Sequence, residues 1–407
     1  MAVFPKIYVA VPLMDELENI PQLLDCLQAQ TYRNFEVVVC VNQPDDWWNR
    51  RDKMEICQRN QATLETLNHQ KPDFLTVIDR SSPGKGWNEK HFGVGWARKT
   101  VMDFISQQAN PADAILTMDG DTVFAENYFA AIANAFVEFP EIKAVTIPYY
   151  HPIPDGDLAA ARAILRYEIY MRHFALNMLR IGNPYAFTAL GSAMACTVKT
   201  YRSIGGITPH KSGEDFYFVQ KLRKFGEILI WLEEKVYPSA RFSDRVFFGT
   251  GPAMIRGNSG DWSGYPVYPF HYFDEIKATF DVFGQLFKND TELPMIPFLR
   301  EKFGENPWQP LRKNAKSAEQ FIRSCQHKVD GLRVLQYLKW RHNQEESSNE
   351  QNLAEFLNHF FPEDQFVQQT DWKSVDFEKS PIEILDGIRN YLTEKEHLWR
   401  KTIRILR

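Results

Sequence analysis

The sequence predicts an open, mostly parallel α/β sheet followed by a mostly helical C-terminal region. Short apolar runs rich in β-branched residues alternate with segments of helical periodicity from Lys6 to Asp121. That alternation is the pattern of strands joined by helical crossovers. After about residue 300 the strand-like runs stop, and helical segments at 317–341, 351–361 and 381–407 are joined by polar linkers such as HNQEESSNEQN. We divide the chain accordingly into residues 1–265 and a mostly helical 266–407.

Each element has its own reason. Lys6 to Val11 is an apolar run suited to a buried parallel strand, which Pro12 is expected to end. Asp15 is placed to cap a helix carrying Ile20, Leu23, Leu24 and Leu27 at helical spacing. Phe35 to Val41 reads as a central strand, broken by the turn formers Asn42-Gln43-Pro44-Asp45-Asp46. A polar helix over 49–70 and a strand from Phe74 to Ile78 follow, then the Asp79 to Gly86 loop. Helical pattern covers Asn88 to Ser106, and a fourth strand, Ala114 to Met118, runs directly into Asp119-Gly120-Asp121. Beyond these, 158–181 reads as a long arginine-bearing helix and 190–232 as a return to the α/β core. The Gly-, Pro- and aromatic-rich 249–270 reads as an ordered loop.

Composition narrows the function classes. Hydrophobic residues make up 44% and charged residues 24% of 407, ordinary for a water-exposed globular chain. A formal charge of −5 gives no electrostatic case for nucleic acid as a partner. No run approaches the roughly 20 apolar residues of a membrane span, and the N-terminus reads as a strand rather than a signal peptide. The five scattered cysteines form no C-x-x-C pair, which points to reduced thiols and a cytoplasmic location.

Two acidic motifs carry the candidate chemistry. Asp119 and Asp121, separated by Gly120 at the end of an apolar strand, can hold a hard divalent cation such as Mn²⁺ or Mg²⁺ against a substrate diphosphate. A surface turn is the plain alternative, since Asp and Gly favour turns in any protein. In Gly213-Glu214-Asp215, the acids head a helix whose stripe is Phe216, Phe218, Val219, Leu222 and Phe225. Helix-dipole stabilisation alone would account for them. The sharper reading makes Asp215 a general base toward a hydroxyl group, with Glu214 orienting the acceptor.

The first 250 or so residues resemble family-2 glycosyltransferases of the GT-A fold. VAVPLMDELENI is similar to that family's V-x-x-P-x-x-N-E-x-x-x-I, with Asp15 where Asn is usual. QTYRNFEVVVCVN looks like its second-strand signature, and TMDGD like its Asp-x-Asp motif. ALGSAMACTVKTYRSIGGI and GEDFYFVQKLRKFG resemble its later Gly-Gly and Glu-Asp segments. The resemblance implies Pro12 and Glu16 beside the nucleoside, Asn42 and Asp46 in the base-contacting loop, and Lys85 near base or diphosphate. It also implies Asp119 at the ribose or the metal, Gly120 beside it in the donor site, Asp121 on the metal, Gly191 and Ser192 on the acceptor side, and Asp215 as base. Asn42 replaces a usual Asp, and 47–80 is longer than the family pattern. The family inverts the anomeric centre by one displacement.

Four features lie outside the motifs. Arg241 and Arg245, in SARFSDR, are only loosely like the family's Gln-x-x-Arg-Trp element, yet can supply fixed positive charge to a leaving diphosphate. His271 is a candidate third metal ligand, with aromatic packing as the alternative. Trp262, Tyr265 and Tyr268 offer either sugar stacking or core packing. The C-terminal EKEHLWRKTIRILR is either a docked helix or an amphipathic contact with the inner membrane face.

The function implied is a metal-dependent, inverting glycosyltransferase taking a UDP- or GDP-sugar donor and a glycan, lipid-linked or small-molecule acceptor. Two alternatives stand beside it. One is a non-catalytic sugar- or nucleotide-binding scaffold of the same fold. The other is a sugar nucleotidyltransferase, disfavoured because the acidic Asp15-Glu16 stands where a triphosphate-cradling basic loop is needed.

Overall fold

A computed structural model describes residues 4–88, 90–244 and 249–407. The chain divides into two compact units, Met1–Ala160 with Phe187–Ser259 and Arg404–Arg407, and Ala161–Ala186 with Gly260–Ile403.

The first unit is built on an eight-stranded sheet. In chain order its strands and helices are β1 (Ile7–Leu13), α1 (Ile20–Gln28), β2 (Phe35–Asn42), α2 (Met54–Gln70), β3 (Leu75–Arg80), α3 (Val94–Gln108), β4 (Ala114–Thr117), β5 (Val123–Phe124) and α4 (Tyr128–Glu138). There follow β6 (Ala144–Thr146), the start of α5 (Leu158–Arg180, which belongs to the second unit after Ala160), β7 (Met194–Thr197), α6 (Val198–Ser203), α7 (Glu214–Phe225), β8 (Ile228–Leu229), β9 (Val236–Tyr237), α8 (Thr250–Asn258) and β10 (Ile405–Leu406). The sheet order is β10-β8-β6-β7-β4-β1-β2-β3, and β5 pairs with β9 in a separate two-stranded sheet. β1 runs parallel to both β2 and β4, while β7 is antiparallel to β4 and β6.

This is the α/β class the sequence predicts, with its central strands buried on both faces. All seven residues of β1 are buried. α3 packs across β1 and β2 with a buried stripe of Ala97, Arg98, Val101, Met102 and Ile105. The chain steps from β1 to β2 and β3 on one side, then returns to place β4 on the other side of β1. The carboxyl ends of β1 and β4 therefore flank a switch in strand order, where open α/β sheets form their ligand crevice.

Several local expectations differ from the structure. Pro12 does not end β1; it pairs with Cys40 inside the strand. Met118 donates to the Ala10 carbonyl. Two residues on, Pro12 faces the same side, beyond the last β1–β4 pair at Ala10 and Thr117, so its missing N–H costs no ladder bond. Asp15 caps no helix. It sits in the left-handed region at φ 59°, and a 3₁₀ turn, Leu17–Asn19, precedes α1. Its carboxylate instead pairs with Arg59 of α2, and its N–H donates to Asn60. Part of the supposed loop 249–270 is helical, as α8. The last residues leave their helix at Arg404 and add β10 antiparallel to β8.

The second unit is helical. Helix α5 enters it after Ala160, with Phe270–Asp281, Ile296–Phe303, Ala318–Lys328, Gly331–His342, Asn349–Phe360 and Ile382–Ile403. The arginines of α5 are internal to it. Arg172 bonds Glu396 at 2.8 Å and lies 3.4 Å from Glu168, and Arg400 bonds Glu396 at 2.7 Å. Arg162 donates to the Phe377 carbonyl, and Arg180 pairs with Asp274 at 2.5 Å. The C-terminal helix likewise buries Leu385, Ile388, Leu392, Glu396 and Arg400. Among the described residues no helix is long and apolar enough to cross a membrane.

Candidate functional site

The site forms where the ends of β1 and β4 meet the start of β7 and the first turn of α7. β4 delivers Asp119-Gly120-Asp121 next to the loop after β1, and Gly120 makes this possible. A Cβ there would lie 2.5 Å from Leu13 Cδ2 and 3.2 Å from Glu16 Cγ, so only glycine lets the two loops approach this closely. The antiparallel pairing of Thr117 with Met194 brings Gly191 and Ser192 beside Asp119. The Ser192 hydroxyl donates to Asp119 Oδ2 at 2.8 Å and contacts the Thr122 hydroxyl at 2.7 Å.

Arg98 joins the two acidic motifs. It is 1% exposed, within the buried stripe of α3. One terminal nitrogen donates to Asp119 Oδ1 at 2.5 Å, and the other to buried Glu214. Gly95, one turn earlier, allows α3 this close, because a Cβ there would collide with the backbone of His210 in the loop before α7. Gly213 begins α7 with φ 75°, a left-handed conformation that suits glycine. Sequence reasoning missed Arg98, although an arginine inside an otherwise apolar helical stripe is a signal of a buried ion pair.

Asp119, Glu214 and Asp215 all act on one buried guanidinium, and the proton affinity of Glu214 and Asp215 rises. Burial pushes Glu214 up to about 7, opposed by Arg98 and reinforced by the charge of Asp215. Asp215, half-buried, is also raised by burial, with Arg98 opposing. Burial lowers the Arg98 pKa, but attraction to Asp119, Glu214 and Asp215 outweighs it and keeps the guanidinium charged.

A second arginine closes the other side. Arg241 Nη2 lies 2.6 Å from Glu16 Oε1 and 2.8 Å from Asp121 Oδ2. The other oxygen of Glu16 accepts from Asn19 at 2.5 Å. Arg245 lies outside the described residues.

At the end of β2, Asn42 is held within the protein. Its amide donates to the Leu13 carbonyl at 2.8 Å and its oxygen accepts from Trp87 Nε1 at 3.3 Å. An Asp could not make the first bond, which accounts for Asn at this position. Asp45 accepts from the Gly84 and Gly86 amides, Lys85 pairs with Asp79 at 2.9 Å, and Asp46 Oδ1 is buried without a hydrogen-bond partner among the described residues. Pro12 lies buried in β1.

The remaining candidates belong to the second unit. His271 is exposed on Phe270–Asp281, its ring beside Phe270 and Tyr272. Tyr265 packs edge-on against Tyr167 and Tyr170, Trp262 lies under Arg166, and Tyr268 is buried against His342.

A divalent cation at Asp119 and Asp121 meets a specific obstacle. Asp119 is held by Arg98 and Ser192, and Asp121 by Arg241. Among the described residues no group of three or more His, Cys, Asp or Glu side chains is arranged to hold a metal ion. As the side chains stand, the donor set does not fit the ion, so no chemical step is assigned to one.

Residues 114–256 match the family model described as glycosyl transferase family group 2. Among solved structures, the chain is similar to S. aureus TarS 1–349 in complex with UDP-GlcNAc, at 14% identity over 98% of this chain and 91% of that one, with a TM-score of 0.40. It is also similar to the mannosyltransferase PcManGT from Pyrobaculum calidifontis in complex with GDP-Man and Mn²⁺, at 15% identity over 98% and 88%, TM-score 0.37. GalNAc-T7 with UDP, GalNAc and Mn²⁺ aligns at 13% identity over 80% and 57%, TM-score 0.39. No curated protein sequence matches significantly.

Proposed function

We propose that this chain, whose residues 114–256 match the family model described as glycosyl transferase family group 2, moves a sugar from a nucleoside-diphosphate donor to an acceptor hydroxyl with inversion. The observation that carries the reading is the Arg98 bridge. It joins Asp119 to Glu214 at the crevice between the carboxyl ends of β1 and β4, and both acids lie in the matched segment.

In this reading the acceptor oxygen attacks the anomeric carbon while the bond to the diphosphate oxygen breaks, and Asp215 takes the hydroxyl proton. Asp215 suits the role because burial raises its proton affinity while Arg98 keeps the ionised form accessible. Glu214, held by Arg98, fixes the turn that presents Asp215. Asp119, held by Arg98 and Ser192, is assigned to a ribose hydroxyl of the donor. The buried Asp46 oxygen offers an acceptor for a base N–H, and Trp87 and Lys85 line the same loop cluster. Positive charge for the departing diphosphate comes from Arg241 at the mouth of β1. The Mn²⁺ or Mg²⁺ expected from the motif would compete with Arg241 for Asp121, and no step above depends on the ion. The donor is a UDP- or GDP-sugar, and the acceptor a glycan, a lipid-linked sugar or a small molecule.

The test is single-turnover transfer by Asp215→Asn and Asp121→Asn proteins shown folded by circular dichroism. Loss of transfer in Asp215→Asn, with an inverted product from the unsubstituted chain, supports the assignment. Normal transfer by Asp215→Asn removes it.

A further inference from the structure

The acidic motif at the end of β4 already has a cation. One nitrogen of Arg241 serves Glu16 at 2.6 Å and Asp121 at 2.8 Å, and Asn19 holds the second Glu16 oxygen. Glu16 is 5% exposed. A carboxylate so buried needs counter-charge, and Arg241 supplies it directly. Attraction to Asp121 and Glu16 also keeps Arg241 firmly protonated against the effect of burial. Gly120 presses the two loops together, so the acids and the guanidinium share one narrow place. A divalent ion bound to Asp121 would sit beside a fixed positive charge and repel it, and a guanidinium cannot relieve this by losing its proton.

We propose that Arg241 is the resident cation of the Glu16–Asp121 pair, so that this site draws its positive charge from the chain and takes up a divalent ion only when Arg241 is removed. For the donor, the consequence is that the diphosphate meets a guanidinium at Asp121 rather than a metal ion. That consequence rests on the transferase reading; the cation assignment itself does not.

The direct experiment is titration of the full chain with Mn²⁺ alone, following free Mn²⁺ by electron paramagnetic resonance. Removing the competing charge is expected to tighten Mn²⁺ binding by about tenfold or more in Arg241→Gln, since carboxylate sites tune affinity through their net charge. Arg241→Lys keeps the charge and stays weak, and Arg241→Gln combined with Asp121→Asn loses the gain. Equal Mn²⁺ affinity in the unsubstituted chain and Arg241→Gln overturns the proposal, as does a gain that survives Asp121→Asn. A second measurement needs no variant. UDP and GDP binding to the unsubstituted chain is followed by calorimetry in EDTA and in Mn²⁺. Binding retained in EDTA supports the proposal, and binding that requires Mn²⁺ overturns it. If neither nucleotide binds under either condition, the transferase reading fails, and the Mn²⁺ titration still decides the cation assignment.

Discussion

Arg98 and Asp119 meet at 2.5 Å, and the same guanidinium reaches Glu214 through its other terminal nitrogen. Helix α3 thus ties the end of β4 to the first turn of α7, far apart in sequence but adjacent at the crevice. Stability and the geometry of the acidic cluster depend on the same side chain.

Arg98→Ala is expected to destabilise the fold by about 3–5 kcal/mol above pH 7, where buried Glu214 is ionised and would lose its counter-charge. Urea denaturation measures this. A loss under about 1 kcal/mol would mean the pair contributes no more than an exposed one.

Glu214 gives stability a pH dependence of defined sign. Its folded value is raised from 4.5 to about 7, so the folded state holds a proton the unfolded chain has released. The contribution is fully present below 4.5 and is lost as pH rises through about 7. Glu214→Gln should flatten the decline in stability across that window, read from denaturation midpoints at several pH values. An unchanged slope would assign the dependence to other groups.

Gly191→Ala should leave the sheet intact and disturb the site. The added Cβ would lie 2.7 Å from Asp119 Oδ2 and would also press on Arg98. Turnover is expected to fall by about a hundredfold, the scale of a small misplacement at a reacting centre, with secondary structure retained. Full activity with the fold retained would show that the acids tolerate displacement.

Asp215→Asn should reduce the transfer rate by about 10²–10⁴-fold, the usual contribution of a positioned base. In the unsubstituted chain the rate should rise with pH through a value above the ordinary 3.8 of an aspartate, because burial raises Asp215. A pH profile that survives Asp215→Asn would move the base elsewhere.

The sequence was legible where chemistry and periodicity coincide. Asp119 and Asp121 follow an apolar strand, and Glu214 and Asp215 open a helix, so residue type and position both mark them. Arg98 was not legible, because a helical arginine ordinarily lies on a solvated face and its two partners come from distant segments. β10 escaped for a different reason. A two-residue strand has no periodicity, and only the β8 edge makes Ile405–Leu406 extended. The internal pairing of the α5 arginines was not legible either, because their acids, among them Glu396 and Asp274, lie far along the chain.

The most direct measurement of the central claim is nucleoside diphosphate release by the purified chain across a panel of nucleotide-sugars, beside its Asp215→Asn variant. The account predicts slow release from one donor, accelerated by a competent acceptor, with the acceleration lost in Asp215→Asn. No release from any donor, together with no donor binding by calorimetry, would contradict it.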